Sequence, residues 1–276
     1  MVFYICKTCG TQYSQSKEPP AYCLICEDDR QYIGFQGQEW TTLQDLRQDH
    51  HNVFKTLEAG LIGIGTQPDF AIAQRALLVQ SQQGNVLWDC IPLIDDYTIS
   101  QVNALGGISA IAISHPHYYS TMVEWARIFD APIYLHSKNR RYVARPDSSI
   151  VFWDGDIQEM GGGMRLIRCG GHFPGSVVLH WADGAGGKGA LLSGDTVTVA
   201  FDRKHVSFMY SYPNLVPLAA STVRRIAAAI EPYPFERIYG AWWPRVILAD
   251  GKAAVKRSVD RYLAALEGRF GEQDLD

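Results

Sequence analysis

Four side chains that stand where apolar runs of the sequence end are of types that bind divalent metal ions. They are three histidines and one aspartate: His115, His117, His172 and Asp195. Residues i and i+2 of an extended chain point to the same side, so both imidazoles of the His-Pro-His segment can contact one ion. Three imidazoles and a carboxylate suit Zn²⁺, with Mn²⁺ and Fe²⁺ as alternatives. The sequence therefore predicts one metal ion held by these four residues.

A single ion in such a site can activate water for hydrolysis. Coordination by three histidines lowers the pKa of water from about 15.7 to about 7, which provides a nucleophile near neutral pH. Asp195 is expected either to bind the ion or to orient its water. Tyr118 and Tyr119 are candidate acid or oxyanion donors, with packing in the core as the alternative for both. We predict catalytic roles for Asp195 and Tyr119.

A second set of ligands lies near the N-terminus, where two Cys-x-x-Cys pairs contain Cys6, Cys9, Cys23 and Cys26. This spacing suits one tetrahedral Zn²⁺, which replaces the core that so short a segment cannot build. The segment resembles a zinc ribbon and, through Gly10 after the first pair, more loosely a rubredoxin. We expect a structural zinc module over residues 1–33, with redox iron as the less favoured reading. Cys90 and Cys169 lie alone in apolar runs and are predicted to be buried.

The elements that position these residues follow from the spacing of apolar side chains. Strands are predicted at Leu61–Ile64, Arg75–Gln80, Asn85–Cys90, Ile108–Ile113, Ile133–Leu135, Met164–Cys169, Ser176–Trp181, Ala190–Leu192 and Ile238–Tyr239. Helices are predicted from a Thr41-x-x-Gln44 capping box to Gln48, from Thr121 to Phe129, over Ser221–Ile230, and over 252–267. Two sheets covered by helices on their outer faces would accommodate this order of elements.

The histidine and aspartate segments together resemble the metallo-β-lactamase superfamily. The residues that carry the resemblance are, in chain order, a strand ending at Asp89, His115-x-His117, Gly171-His172-Phe-Pro-Gly175 and Ser193-Gly194-Asp195. The resemblance covers residues 38–276 and implies the α/β class, as a four-layer αβ/βα sandwich with a metal-dependent hydrolase site at one edge of the sheets. It implies that the three histidines bind the first metal. Asp195 corresponds to the carboxylate that normally bridges two metals.

Three positions depart from the family pattern, and all belong to its second metal site. Tyr119 replaces an aspartate, Ser120 replaces a histidine, and Ala241 follows Gly240 where the family has another histidine. Of the second-site ligands, only Asp195 remains. The resemblance therefore implies a centre with one metal ion. If the tyrosines serve packing, Tyr119 and Trp242 are expected to fill the vacated pocket.

These observations favour a mononuclear hydrolase that acts on an ester, thioester, lactone or amide of a small molecule. The alternative is a weakly active or inactive descendant that uses the fold for ligand binding or protein interaction, because three second-site ligands are lost. A redox role is the least favoured hypothesis, because the carboxylate of iron-using relatives is missing. His205 and Tyr210 are candidate residues of the substrate pocket.

Composition limits the partners. The 276 residues carry 25 Lys+Arg against 29 Asp+Glu, so a net charge of −4 argues against nucleic acid and anionic membranes. Residues 97–123 lack charged side chains, but their Gln, Asn, Pro and His argue against a membrane span. The start has no targeting pattern, so we expect a cytoplasmic protein with a small-molecule substrate. Aromatic residues at 233–243 favour either a pocket lining or a homodimer face.

Overall fold

The computed structural model describes residues 1–269 of the chain. In this part of the chain the helices are α1 (Leu43–Asp49), α2 (Asp96–Ala104), α3 (Met122–Phe129), α4 (Gly184–Gly187), α5 (Ala220–Ile230) and α6 (Gly251–Leu266). The strands are β1 (Ile5–Cys6), β2 (Trp40–Thr41), β3 (His51–Glu58), β4 (Leu61–Gln67), β5 (Arg75–Val79), β6 (Val86–Trp88), β7 (Ala110–Ala112), β8 (Ile133–His136), β9 (Ile150–Trp153), β10 (Ile157–Gly161), β11 (Met164–Arg168), β12 (Val177–Trp181), β13 (Ala190–Gly194), β14 (Thr198–Val199), β15 (Val206–Ser207), β16 (Met209–Ser211), β17 (Val216–Pro217), β18 (Arg237–Gly240) and β19 (Val246–Ile247). Residues 270–276 of the predicted second domain lie outside the described residues.

Two large sheets stack face to face. Seven strands form the first sheet in the order β3-β4-β5-β6-β7-β8-β9, and six form the second in the order β10-β11-β12-β13-β18-β19. Because alternate residues of a strand point to opposite faces, Leu77 and Val79 pack in the layer between the sheets, and Leu78 packs on the outer side. Leu179 and Leu192 of the second sheet complete the inner layer. Each sheet therefore has one face for the other sheet and one for helices.

Helices cover both outer faces. Val102 of α2 and Trp125 of α3 belong to the apolar cluster on the outer side of the first sheet. Val223 and Ile226 of α5 and Val255 of α6 pack on the outer side of the second sheet. The order of layers is helix, sheet, sheet, helix, which agrees with the predicted four-layer sandwich.

All nine predicted strands are present, with shifts at their ends. Sequence analysis missed β3, β9, β10 and α2, and it also missed the short strands β1, β2, β14, β15, β16, β17 and β19 and the one-turn helix α4. Strand β3 lies at an edge of the first sheet, and most of its side chains are partly or fully exposed, so its sequence lacks the apolar run of a buried strand. Strand β10 was missed for the same reason, because it is an edge strand of the second sheet and its charged and polar side chains are at least partly exposed.

The predicted capping box is wrong by one residue. Helix α1 begins after Thr42, whose hydroxyl accepts a hydrogen bond from the Asp45 backbone N–H at 3.1 Å. Thr41 instead pairs with Ile5 in the short β1–β2 ladder. Thr42-x-x-Asp45 therefore supplies the cap, because a strand residue cannot also start the helix.

The N-terminal module packs against the larger unit. Ile25, between the second pair of cysteines, is fully buried in the outer cluster of the first sheet. The Gln12 backbone N–H donates to the Ser120 carbonyl at 3.0 Å. By composition, the polar run Glu27-Asp-Asp-Arg30 and the Gly34/Gly37 stretch predict a linker. The chain that follows it returns to pair Trp40 with Cys6. The module is thus tied to the sandwich both by its core and by this strand pair.

No helix within residues 1–269 combines the length and apolarity needed to cross a membrane.

Candidate metal centre

His115 and His117 leave the end of β7 through a tight turn. Sequence analysis assumed an extended chain, but Pro116–Tyr118 is a 3₁₀ turn and only His115 is extended. Pro116 begins this turn because its fixed φ suits the first helical position. The two imidazole centroids still lie 5.0 Å apart. The turn therefore brings the rings together by a different backbone path from the one predicted.

The His172 ring is fixed by two backbone carbonyls at its Nδ1, on the side that points away from His117. Its Nδ1 donates to the Tyr210 carbonyl at 2.8 Å and lies 3.2 Å from the Met209 carbonyl. The proton on Nδ1 leaves Nε2 with a free lone pair, and Nε2 lies 3.2 Å from His117 Nδ1. Such a hydrogen bond sets both the tautomer and the orientation of a metal-binding histidine.

Asp195 reaches the same point from the end of β13 in the second sheet. Its Oδ2 lies 3.7 Å from His115 Nε2. One ligand atom from each of His115, His117, His172 and Asp195 lies within 4.8 Å of the others. The structure thus brings together the four predicted ligands from loops on both sheets.

The donors of this group fit a metal ion. Within residues 1–269, His115 Nε2, His117 Nε2 and Asp195 Oδ1 are buried and lack a hydrogen-bond partner. Buried polar atoms without partners cost free energy. All four residues are at most 4% exposed. A cation among them would satisfy donor atoms that the protein leaves unpaired.

Burial sets the protonation of the group. It lowers the pKa of His172 to about 4, and the pKa values of His115 and His117 fall well below the usual range for the same reason. The imidazoles are therefore neutral at pH 7, as ligands must be. Burial also raises the pKa of Asp195 to about 7, against smaller lowering effects of Tyr118 and Thr198.

A chain of hydrogen bonds orients His115. The Asp89 carboxylate accepts the Ser114 backbone N–H at 2.8 Å, and the Ser114 hydroxyl lies 2.9 Å from His115 Nδ1. Asp89 is buried, which raises its pKa to about 7. Sequence analysis used Asp89 only for the family resemblance and missed Ser114, which precedes the first histidine directly.

The two neighbouring tyrosines have different surroundings. The Tyr118 ring lies 4.4 Å from the His115 ring, and its hydroxyl is close enough to Asp195 to lower the pKa of that carboxyl. Both side chains belong to the outer apolar cluster of the first sheet, but the charge that acts on the Tyr119 hydroxyl is that of Tyr142, whereas the Tyr118 hydroxyl is affected by Asp195. Both hydroxyls are buried without a hydrogen-bond partner of ordinary geometry within the described residues. Of the two, Tyr118 faces the predicted ligands.

The positions that correspond to a second metal site are packed. Tyr119 and Ala241 are buried in one apolar cluster, and Trp242 packs against it. The Ser120 hydroxyl accepts a hydrogen bond from Gln74 Nε2 at 3.3 Å, and Trp242 Nε1 donates to the Ile72 carbonyl at 2.8 Å. Apolar contacts and hydrogen bonds thus hold the side chains at these positions.

The four N-terminal cysteines form a separate group. Cys6 Sγ lies 3.6 Å from Cys26 Sγ, and Cys9 Sγ lies 3.6 Å from Cys23 Sγ. These distances are too long for disulfides, but a tetrahedral zinc ion with bonds of about 2.3 Å would separate its sulfurs by about 3.8 Å. The four sulfur atoms therefore fit one zinc ion.

The other predicted residues lie elsewhere. His205 is partly buried in an exposed loop, where its Nδ1 pairs with Asp202 at 2.7 Å. Tyr210 borders the site through its carbonyl, as described above. Cys90 and Cys169 are buried and free, as predicted.

One relative resembles the chain along nearly its full length. The chain is 53% identical over 272 residues to the uncharacterized protein YmaE of Bacillus subtilis strain 168. The match covers 98% of this chain and 99% of YmaE. No protein-family model matches the chain.

Solved structures resemble the fold at low sequence identity. VMB-1 matches with a TM-score of 0.58 at 16% identity, over 78% of this chain and 98% of that one. The DIM-1 metallo-β-lactamase matches with a TM-score of 0.58 at 14% identity, over 78% and 98% of the chains. The metallo-β-lactamase of Hirschia baltica matches with a TM-score of 0.53 at 16% identity, over 76% and 96%. These matches show that the chain has the metallo-β-lactamase fold, and they confirm the predicted fold class.

Proposed function

The chain belongs to the family of Bacillus subtilis YmaE and has the metallo-β-lactamase fold; from this premise we propose that it is a metal-dependent hydrolase with one catalytic ion. The observation that carries the proposal is the convergence of three imidazoles and one carboxylate within 4.8 Å. The proposed substrate is a small-molecule ester, thioester, lactone or amide. Cytoplasmic location and a homodimer stay predictions from the sequence.

Each residue of the group has a proposed role. His115, His117 and His172 would hold the ion, with Zn²⁺ preferred over Mn²⁺ or Fe²⁺ for this donor set. When bound, the ion supplies Lewis acidity and activates water near neutral pH. Asp195 would complete the ligand set or orient the attacking water and accept its proton, because its Oδ1 is otherwise unpartnered.

A hydrogen-bond donor for the developing oxyanion is also required. Sequence analysis named both Tyr118 and Tyr119 as candidate acid or oxyanion donors and predicted a catalytic role for Tyr119. The contacts favour Tyr118, whose ring packs on His115. Burial raises the pKa of the Tyr118 hydroxyl well above its usual value, so it keeps its proton and can donate. Tyr119 shares the apolar cluster of Tyr118 without the influence of Asp195, which supports a packing role for Tyr119.

A second candidate function is metal binding without catalysis. It is favoured by the deep burial of all four ligands and by the packing at Tyr119, Ser120 and Ala241. A substrate can reach the group only after surrounding loops open. In this reading the fold is used for ligand binding or protein interaction.

Metal analysis of the purified protein tests the site. We expect about two metal equivalents per chain, of which about one is lost in the His115→Ala/His172→Ala double variant. His180→Ala is the matched control, because His180 is a buried histidine that hydrogen-bonds the Pro234 carbonyl at 2.7 Å, outside the ligand group. A single equivalent that disappears only on Cys23→Ser would contradict the proposed histidine site.

A substrate panel then separates the two candidate functions. Esters, thioesters, lactones and amides are compared on the wild-type protein, the double histidine variant, and protein treated with chelator and reloaded. Hydrolysis that needs both histidines and returns with metal supports the hydrolase. Hydrolysis that survives loss of both histidines would show that the proposed mechanism is wrong. A loaded protein without hydrolysis would favour the binding role.

A further inference from the structure

A short segment of the cysteine module lies against the histidine site. We call residues 28–31 the strap. It continues directly from the second cysteine pair, where the Glu27 backbone N–H donates to the Cys23 carbonyl at 3.0 Å. The Gln31 backbone N–H then donates to the Asp28 carbonyl at 2.9 Å. This run of turns means that the place of the strap depends on the place of the cysteines.

Arg30 makes the main contact from the strap to the histidine site. Its Nε donates to the His172 carbonyl at 2.5 Å. Its guanidinium carbon lies 4.7 Å from the centroid of the Phe173 ring and 4.3 Å from that of Tyr210. The Asp28 carboxylate holds the same guanidinium at 2.7 Å. A planar guanidinium suits this stacked and hydrogen-bonded position, which a lysine cannot reproduce.

The strap also holds the loop that orients the His172 ring. The Ser211 hydroxyl donates to the Arg30 carbonyl at 3.1 Å. Asn214 Nδ2 donates to the Asp29 and Gln31 carbonyls at 3.1 and 3.0 Å. Ser211 follows directly on the Met209 and Tyr210 carbonyls that face His172 Nδ1. The strap therefore fixes His172 from two sides, at its backbone and through the partners of its ring.

We propose that the cysteine module positions the histidine site, with Arg30 as the positioning residue, so that metal at the four cysteines raises metal affinity at the histidines. The inference rests on the metal site of the proposed function and is independent of whether that site hydrolyses anything. Groups that orient metal ligands typically change metal affinity by about 10–100-fold. Coupling of two binding sites is reciprocal, so an ion at the histidines strengthens zinc binding at the cysteines by the same factor.

Cobalt titration tests the coupling without an activity assay. Protein with zinc at the cysteines and none at the histidines is titrated with Co²⁺, and both the dissociation constant and the visible ligand-field bands are recorded. Arg30→Ala is expected to bind cobalt about tenfold more weakly, with shifted bands. Arg30→Lys is expected to remain within about threefold of Arg30→Ala, because it keeps only the charge.

Lys7→Ala is the matched control. It removes a positive charge from the same module, but Lys7 pairs with Glu39 at 3.2 Å on the exposed side. Its cobalt affinity and bands are expected to equal those of the wild type. Cys23→Ser is expected to weaken cobalt binding at the histidines at least as much as Arg30→Ala, because the strap then lacks its metal anchor.

The possible results separate this inference from the proposed function. Equal cobalt affinity and identical bands in Arg30→Ala and the wild type would overturn the positioning role while leaving the metal site intact. Full recovery in Arg30→Lys would overturn the role of the stacked guanidinium. Absence of cobalt binding at the histidines of the wild type would overturn the proposed site itself, and this inference with it.

Discussion

The two ligand groups of this chain gain their geometry in opposite ways. The four cysteines lie within one short stretch of chain, between Cys6 and Cys26, and surround the centre of a unit with little apolar core of its own. The histidine group spans His115 to Asp195 and is placed by loops on two large sheets. In the first group a bound metal would organise the protein, whereas in the second the protein itself organises the site.

The largest expected effect is at the cysteines. Cys23→Ser removes one thiolate from the proposed zinc site, where a bound zinc would contribute on the order of 10 kcal/mol to folding. We expect the module to lose its order while the sandwich stays folded, which limited proteolysis and circular dichroism would show as cleavage confined to the N-terminal segment. Cys169→Ala, at a buried cysteine outside the group, is the control and should keep the full metal content. Loss of the whole fold in Cys23→Ser would contradict the view that metal at the cysteines organises only the N-terminal module.

The contact between module and sandwich can be tested with two glycines of similar backbone. Gly10 has φ +80, and an added Cβ would lie 2.6 Å from Pro92 Cγ. Gly37 has φ +89 and no neighbour within 4 Å of such a Cβ. Gly37→Ala should cost about 1–2 kcal/mol of unfolding free energy through backbone strain alone. Gly10→Ala should cost about 1–3 kcal/mol more through overpacking against Pro92; equal losses in chemical denaturation would argue against tight docking.

Competition between protons and the metal ion should make metal affinity at the histidine group depend on pH. Asp195, with a pKa raised to about 7, carries a proton below that pH in the metal-free protein. Because an ion displaces this proton, metal affinity should fall by about tenfold per pH unit below pH 7 and level off above it. The neutral imidazole of His172, with its pKa near 4, adds no competition in this range. Asp195→Asn should bind more weakly at pH 8, with a flat curve between pH 5 and 7; an unchanged slope would exclude Asp195 as its source.

The smallest effects are expected at the adjacent tyrosines. Tyr118→Phe should raise the pKa of Asp195, because Tyr118 lowers it in the wild type, and so should move the midpoint of the affinity curve to higher pH. Tyr119→Phe should leave that curve unchanged. Since the Tyr119 hydroxyl is buried without a partner, its loss should keep or raise the unfolding free energy by up to about 1 kcal/mol. A shifted curve in Tyr119→Phe would reverse the two roles.

Sequence analysis selected the two sets of predicted ligands, which the structure brings together, for different reasons. The cysteine spacing alone indicates a zinc site, because the ligands are close in the chain. The histidines and Asp195 were identified by their places at strand ends, and the apolar strands that carry them were visible as well. The backbone path between the two histidines was not predicted, because Pro116–Tyr118 forms a 3₁₀ turn rather than an extended segment.

Residues that act across long distances in the chain escaped sequence analysis. Arg30 is remote from His172, and nothing in its neighbours indicates the contact that the fold creates. The carbonyl of Tyr210 acts through the backbone, which any residue type supplies. Edge strand β3 escaped for another reason, since its half-exposed side chains lack a clear period. Long-range pairing and backbone acceptors leave little trace in a single sequence.

The burial of the four ligands has a consequence for kinetics. With His115 fully shielded and Asp195 only 4% exposed, an ion can enter or leave only when the surrounding polypeptide opens. The residence time of a bound ion would then be governed by the free energy of that local opening as much as by the ligand bonds. Insertion during folding, before the loops close, would be the fast route, and later exchange with free ions in solution would be slow.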